Sequence, residues 1–526
     1  MNAPVRYSNG KPVIRVRSGA SFNSYAPLYQ SAGRMAAAVR AWETIWTDGD
    51  GDLHEFPDLR AKSWDLMRNN PLAIGGINTH VTDTIGTGLE LHCRVDRALL
   101  MDRLSLSDDD LDVWEQRAED RFRWWAETPI HCDLEAQQNF YEQQCTVYAS
   151  ELVAGDGLGL ITAVQRRHSP FMTRVQLIDP DRLSNPQNAS DSSRLAGGVE
   201  RDGNGAAIAH HFRQAHPGSI KLDEQAKKFL WRRIPTFGAV TGRQNVVHMF
   251  VKERPGRSRG VPKLAPLLAM FKQLGRYTDA EIMAALVHSF FTVFVKSDED
   301  ALSFGAEQLE EQEQAGVQAS RGEVGLGYGN IVDLASNENI ELAKAERPHS
   351  AFDPFMESMF TQLGVGMDMP KEMLTKQFKS SYSAARGAFL QWWKTCSKNR
   401  KHTGLYFCAP VYQAWLAEQV ATGALEAPGF FTDPVLRWAW SRHVWIGPPR
   451  GQIDPVKETQ AEQMQHDILI KPLADICSSL TGQDWDSVVE RIARERRKIK
   501  RLDLPEPAAA QITRDTADAV EPSEED

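Results

Sequence analysis

The sequence is poor in the features that mark the commoner functional classes. Its six cysteines, Cys93, Cys132, Cys145, Cys396, Cys408 and Cys477, are scattered with no C-x-x-C pair among them. Neither a disulfide framework nor a structural zinc site is expected. No apolar run reaches the roughly 18 residues of a membrane helix, and the opening residues lack the apolar core of a signal peptide. A protein that stays in the cytoplasm of the cell that makes it is expected, without membrane contact. Positive charge is also in deficit: the net charge is −10, which argues against nucleic-acid binding over the whole surface and leaves room only for local contacts. There is no P-loop and no H-E-x-x-H, so ATP turnover and zinc-peptidase chemistry have no candidate residues. The expectation is a protein that is not an enzyme, with no cofactor and no metal.

What is present invites several chemical readings, each with a plainer one beside it. Asp48-Gly49-Asp50-Gly51-Asp52 has calcium-loop spacing, but it lacks the glycine after the third aspartate and has Leu59 where the bidentate glutamate belongs, so it reads as a turn. His92-Cys93 and His131-Cys132 are adjacent pairs, whose side chains point in different directions, so packing is expected rather than zinc ligation. His210-His211 lies in a strand, one side chain toward the core and one toward solvent. Gly155-Asp156-Gly157-Leu158-Gly159 lacks both the P-loop ending and the dinucleotide spacing and reads as a hairpin turn. Trp114, Trp124 and Trp125 read as packing residues. His248, His288 and His349 are isolated.

The element pattern mixes helices with short strands. Val246–Val251 reads as a strand, Pro255, Gly256 and Gly260 punctuate a turn, and from Lys263 an apolar stripe (Leu264, Leu267, Leu268, Phe271, Leu274, Ile282, Leu286, Phe290, Val293) predicts one helix of about nine turns. Helices are predicted over 31–46, on both sides of a break at Arg68-Asn69-Asn70-Pro71, over 108–127 and over 134–152, with a strand within 81–90. Strands over 175–178 and 208–212 and a hairpin at Gly197-Gly198-Val199-Glu200 make residues 150–250 β-rich. Residues 298–323 carry eight acidic residues and one arginine, and a short strand pair is expected over 330–342. A second helical region runs from Phe352 to about Glu418, broken at Gly364–Pro370, and between Lys371 and Lys401 eight basic residues face one acid. After Trp445 the chain turns helical again to about Lys500, and the acidic tail beyond reads as disordered.

Five strings, in order along the chain, resemble those of the lambda-like family of tailed-phage portal proteins. They are Ala61, Asp65, Leu66, Arg68, Asn69, Asn70, Pro71, Ala73 and Gly75; Ile178, Asp179, Pro180, Arg182, Ser184, Asn185 and Pro186 with Gly198, Val199, Glu200, His216 and Pro217; Arg254, Pro255, Gly256, Arg259, Gly260, Val261, Leu264 and Pro266; Gly364, Gly366, Pro370, Glu372, Leu374, Phe378, Ser381, Tyr382, Ser383, Ala385 and Arg386; and Trp445, Gly447, Pro448, Ile453, Asp454, Pro455, Lys457 and Glu458. Arg257 stands where the family has Gln, two extra residues separate Gly366 from Pro370, and Ala384 replaces a serine.

The resemblance implies an α+β, mainly helical portal fold with long stem helices, a β-rich wing and a C-terminal helical crown. It divides the chain into a flexible arm (1–30), a wing (31–245), a strand, turn and stem helix (246–295), a clip (296–345), a returning stem with the tunnel-loop region (346–420), crown helices (421–502) and a disordered acidic tail (503–526). The function implied is a ring, of twelve subunits, at one vertex of a phage head, through which double-stranded DNA is packaged and ejected. The partners implied are the terminase large subunit, major capsid and scaffold proteins, and head-completion or tail connector proteins, with assembly in the host cytoplasm and a final place in the virion. The implied DNA-channel residues are Lys371, Lys376, Lys379, Ser381, Tyr382 and Arg386; the implied docking residues of the clip are Glu307, Glu310, Glu311 and Glu313. A DNA-associated enzyme or a nucleic-acid-binding regulator of a prophage is the competing reading, and the acidic net charge opposes it.

Overall fold

Asn70 and Pro71 set the first corner. Asn70 is extended, its side chain accepts from the amides of Leu72 (3.1 Å) and Ala73 (3.0 Å), and Pro71 takes the first helical position, where its missing N–H costs nothing. This separates α1 (Phe56–Asn69) from α2 (Pro71–Thr84). In the computed structural model, residues 47–289, 293–297, 338–342, 352–378, 381–451 and 454–502 are described. The predicted arm, the 31–46 helix, the acidic stretch 298–323 and the tail lie outside them.

The strand predicted within 81–90 starts only at its end. The helix continues to Thr84, whose carbonyl takes the Arg400 Nε at 3.1 Å, and β1 spans Glu90–Cys93. Packing on both sides outweighs the β-branched propensity of the local sequence. Next come α3 (Arg97–Leu104) and α4 (Asp108–Glu127), the latter opened by a capping box between Ser107 and Asp110. The helix predicted from residue 134 begins later, as α5 (Phe140–Ala154), because the Asp133 carboxylate accepts from the amides of Glu135, Gln137 and Gln138 and holds that stretch in a loop.

Strands β2 (Gly157–Ala163), β3 (Thr173–Ile178) and β8 (Val246–Met249) form one antiparallel sheet in the order β3-β2-β8. β4 (Leu195–Ala196), β5 (Val199–Arg201), β6 (Ala207–Arg213) and β7 (Trp231–Pro235) form a second, in sequence order. Leu158, Ile178, Leu183, Val199, Phe212 and Val246 form one apolar cluster drawn from both sheets. His210 is buried, and His211 meets Glu200 at 3.1 Å.

After a single 3-10 turn at Ala265–Leu267, α6 runs from Leu268 to Ser289. At 22 residues it has about six turns, fewer than the nine predicted: Pro266 lies in the 3-10 turn that precedes it, and Val293, at the far end of the predicted stripe, belongs to β9. β9 (Val293–Ser297) pairs antiparallel with β10 (Glu338–Leu342). α7 (Phe352–Gly366), α8 (Lys371–Thr375) and α9 (Tyr382–Thr403) follow. α9 passes through a π turn at Gly404–Cys408 into α10 (Ala409–Ala421); Pro410, lacking an N–H, cannot close the regular ladder there. Then come α11 (Pro434–Trp440), β11 (His443–Ile446), α12 (Pro455–Asp467), α13 (Leu473–Thr481) and α14 (Trp485–Arg501). β11 pairs with β1, Glu90 opposite Ile446. The fold is α+β and mainly helical.

The main core is aromatic. Phe122 of α4 meets Phe140 of α5, Tyr412 and Trp415 of α10 edge-on at ring distances of 5.8, 5.8 and 5.1 Å, and Trp125, Trp392 and Trp440 are fully buried around them. Each such ring removes about 150–250 Å² from water, on the order of 4–6 kcal/mol by area. Trp114 and Trp125 are packed as expected, while Trp124 is half exposed. The core crosses residue 421, since Leu425, Phe430, Leu436 and Trp440 belong to it together with the residues of α4 and β1.

Between this core and the sheets lies one fully buried carboxylate. Asp156 Oδ2 accepts from Arg60 Nη2 (2.7 Å) and Arg259 Nε (2.8 Å), and its Oδ1 faces His248 Nε2 (2.9 Å) and accepts from the amide of Gly260 (2.8 Å). Arg259 also donates to the carbonyls of Leu183 and Gly197 (both 2.7 Å, from Nη1) and Pro180 (2.9 Å, from Nη2). Burial alone would raise the Asp156 pKa; Arg259, His248 and Arg60 together hold it well below the usual carboxylate range. Burial pushes Arg60 down to about 10, so it stays charged near neutrality. The Gly155–Gly159 stretch is thus a helix-to-strand turn with Gly155 left-handed (φ 88°), and the hairpin reading is corrected. The same cluster extends outward: Asp50 accepts from the Ser258 amide and hydroxyl (both 2.7 Å) and from Arg201, while Asp52 accepts from Arg257. The acidic turn that resembled a calcium loop is clasped by basic residues.

Replacing Asp156 with Asn would leave two guanidinium groups buried with half their countercharge gone, and calorimetry should show a loss of about 3–5 kcal/mol. Asp223→Asn, which removes a solvated i,i+4 pair with Lys227, should change stability by less than about 0.5 kcal/mol.

Candidate functional site

The candidate DNA-contacting stretch is anchored at its base. In the last turn of α7 a Cβ on Gly364 would come within 2.8 Å of the Met369 carbonyl, and one on Gly366 within 2.4 Å of Leu267 Cδ2. Both glycines serve close packing, and the unusual backbone expected of them falls elsewhere, on Asp368 (φ 55°) and Lys376 (φ 57°). The Met369 amide returns to the Gly364 carbonyl at 2.9 Å, and Asp368 pairs with Lys263. Buried His80 of α2 places Nε2 2.8 Å from the Met367 carbonyl, and a Cβ on Gly76 would touch the Met367 methyl at 2.5 Å. Leu374 fastens α8 into the same core. The segment is a pinned connection whose polar residues are carried outward.

Lys371 reaches Glu357 at 2.7 Å, and that hydrogen bond raises its pKa. Lys376 caps α8 and is exposed; it acts on Asp83, whose carboxyl is raised by burial and lowered by the Trp392 indole that donates to it at 2.7 Å. Ser381 is the N-cap of α9 and is exposed, Tyr382 is the first residue of that helix, and Arg386 lies one turn on, exposed. Lys379 lies outside the described residues, as do Glu307, Glu310, Glu311 and Glu313.

Three features escaped sequence reasoning. Asp156 was hidden between glycines, and its partners stand about a hundred residues away on both sides. His248, read as isolated, is one of those partners. The third is Gly256-Arg257-Ser258-Arg259-Gly260, which has the G-x-S-x-G spacing of a hydrolase nucleophile. Ser258 is buried here, gives its hydroxyl proton to Asp50, and stands in a loop that is not a strand-to-helix elbow. The geometry gives it a structural task.

Residues in or flanking four of the five strings meet in space. Arg60, just before the first, shares Asp156 with Arg259 and Gly260 of the third; Arg259 also reaches the carbonyls of Pro180, Leu183 and Gly197 within the span of the second; and Gly76 and His80, just past the first, and Leu267, just past the third, pack against Met367 and Gly366 in the span of the fourth. The chain belongs to the lambda family of phage portal proteins: the family described as "Phage portal protein, lambda family" matches residues 36–400. Curated relatives include the portal protein of Escherichia phage N15, 23% identical over 516 residues, and portal protein B of Escherichia phage lambda, 23% identical over 510 residues, each alignment covering 93% of both chains. A solved neck structure of an empty GTA particle is similar at a TM-score of 0.45 and 10% identity, covering 85% of this chain and 97% of that one. Among the described residues no helix is long and apolar enough to cross a membrane.

His80 gives the anchor a pH dependence. Burial lowers its pKa from 6.5 to about 4, although the bond to the Met367 carbonyl works the other way. The folded protein therefore resists a proton that the unfolded chain takes up, so the stabilisation is complete above about pH 6.5 and is lost as pH falls toward 4, at up to about 1.4 kcal/mol per unit. Denaturant melts at pH 7, 6, 5 and 4.5 should show a slope that is shallower in His80→Gln.

Proposed function

We infer that this chain is a structural ring protein at one vertex of a phage head, the passage for double-stranded DNA during packaging and ejection and the docking site of the terminase and of head-completion or tail proteins. Family membership supports this reading, and so does the uneven burial of α6. Its stripe is buried at Phe271 and Leu274 but carries Ile282, with Met283 next to it in sequence, at more than 50% exposure, and nearer the buried end Tyr277 meets the half-exposed Phe355 of α7. Apolar side chains continued along one helix into solvent are the surface a neighbouring copy would cover, and a head-to-tail contact of that kind closes into a ring when its rotation is a simple fraction of a turn. Twelve copies, the division into wing, stem, clip and crown, and docking at the acidic 298–323 stretch are carried by the resemblance. The acidic net charge suits a passage in which DNA must slide, because each neutralised phosphate adds counterion-release affinity and drag.

Electron microscopy of the purified protein should show rings with a central hole and no saturable ATP turnover. Compact monomers at high concentration, or turnover abolished by a point substitution in this chain, would sink the reading. Within it, Lys371, Lys376, Lys379 and Arg386, with Ser381 and Tyr382, border the channel and touch phosphates transiently. Lys376→Ala with Lys379→Ala should leave rings and the start of packaging intact and lower retention of full-length DNA, with the difference from wild type greatest at low salt and shrinking as salt screens the contact. Full retention at every salt concentration would leave these lysines as solvated surface residues.

A further inference from the structure

A groove of about 870 Å³ lies where the end of α9 and the π turn meet the start of α10, α11 and β11. Four cationic side chains line it, Arg400, Lys401, Arg437 and Arg442, and no Asp or Glu does, in a protein whose net charge is −10. Arg442 pairs with Asp96 at 2.9 Å. The other three have no carboxylate partner among the described residues. Arg400 donates to the carbonyls of Thr84 (3.1 Å) and Asp83 (3.4 Å), which leave its charge unmatched, Arg437 lies 5.5 Å over the Phe430 ring, and Lys401 is exposed. The lining is also apolar: Leu405 is 58% and Trp438 57% exposed, with Arg442 5.2 Å over the Trp438 ring. Cations with apolar side chains between them suit an acidic peptide. A duplex shows sugar and phosphate on its outside and would leave Leu405 and Trp438 facing water.

We propose that residues 515–526 of this chain seat in the groove. The stretch has six acids, Asp515, Asp518, Glu521, Glu524, Glu525 and Asp526, and no base, with Ala519 and Val520 in its middle. Its carboxylates meet Lys401, Arg437 and Arg442, and the Ala519-Val520 pair packs on Trp438.

The groove is within its reach. Cys93 of β1 stands opposite His443 of β11, and the next residue, Arg94, meets Asp484 at the start of α14 at 3.2 Å, so that helix begins one ion pair from the groove's edge. The 17 residues of α14 add about 26 Å, and residues 503–514, extended, span about 40 Å. Exposed ion pairs are individually weak, but a partner on the same chain is held at an effective concentration on the order of millimolar. A nearer cationic surface is the outer side of α14, with Arg491, Arg494, Arg497 and Arg501. There Glu490 already pairs with Arg494 at 3.1 Å, and all four arginines are exposed, where salt screens the attraction.

The test treats the full-length protein with a water-soluble carbodiimide, which joins an amine to a carboxylate without a spacer, and reads the linked peptides by mass spectrometry. Lys401 should be joined to an acid of 515–526, with a yield that falls several-fold between about 0.05 and about 1 M NaCl. A second protein carries Asp515→Asn, Asp518→Asn, Glu521→Gln, Glu524→Gln, Glu525→Gln and Asp526→Asn together, which leaves every described residue as it is. In it, acetylation of Lys401 and hydroxyl-radical oxidation of Trp438 should each rise several-fold over wild type at an unchanged Tm. Links that fall on Lys498 or Lys500 with none to Lys401 overturn the proposal. So does equal labelling of the two proteins, and equal labelling that an added DNA duplex then lowers would assign the groove to DNA instead.

Discussion

The bond set around Asp156 is the constraint on which the architecture rests. A carboxylate with no solvent exposure is tolerable only when its charge is matched and its lone pairs are filled, and here two guanidinium groups, an imidazole and a backbone amide do both. Arg259 is in turn acceptable in the interior because three carbonyls, from Pro180, Leu183 and Gly197, take three of its four other donors. None of these groups can shift alone. The turn that carries Arg259 leads directly into α6, so the origin of that helix is fixed against α1, α5 and both sheets.

The same constraint accounts for what the sequence could and could not disclose. Local signals were readable: α4 lies at Asp108–Glu127 because Ser107 and three aspartates announce its start, and the break at Asn70-Pro71 follows from a capping side chain next to a proline. The α+β class and the interruption near Gly364–Pro370 came from the same kind of signal. What failed were long-range matters. A glycine-flanked aspartate carries no mark of burial, and the end of α2 is decided by Arg400, more than three hundred residues away. Gly364 and Gly366 show the limit from the other side: glycine signals a special need, but whether of backbone angle or of space depends on a neighbour such as Leu267.

The candidate channel residues were legible as a basic stretch after an acidic one, and the structure places Lys376, Ser381 and Arg386 on exposed positions around a pinned connection. Its rigidity comes from His80, Gly76 and Leu267, none of which has a charge pattern to announce it. A polar surface held on a firm base presents its charges at fixed positions, and contacts made there lose little conformational entropy on binding.

The pairing of β1 with β11 sets a clock on synthesis. Glu90 lies opposite Ile446, so the strand waits for about 350 further residues before its partner exists. At roughly 5–20 residues per second this is a delay of about 20–70 s. Through that interval Leu91 and Cys93, buried in the finished protein, lack the strand that covers them. The nascent chain therefore depends on whatever shields apolar surface at the ribosome, and the body closes only when little more than the C-terminal helices is left to make.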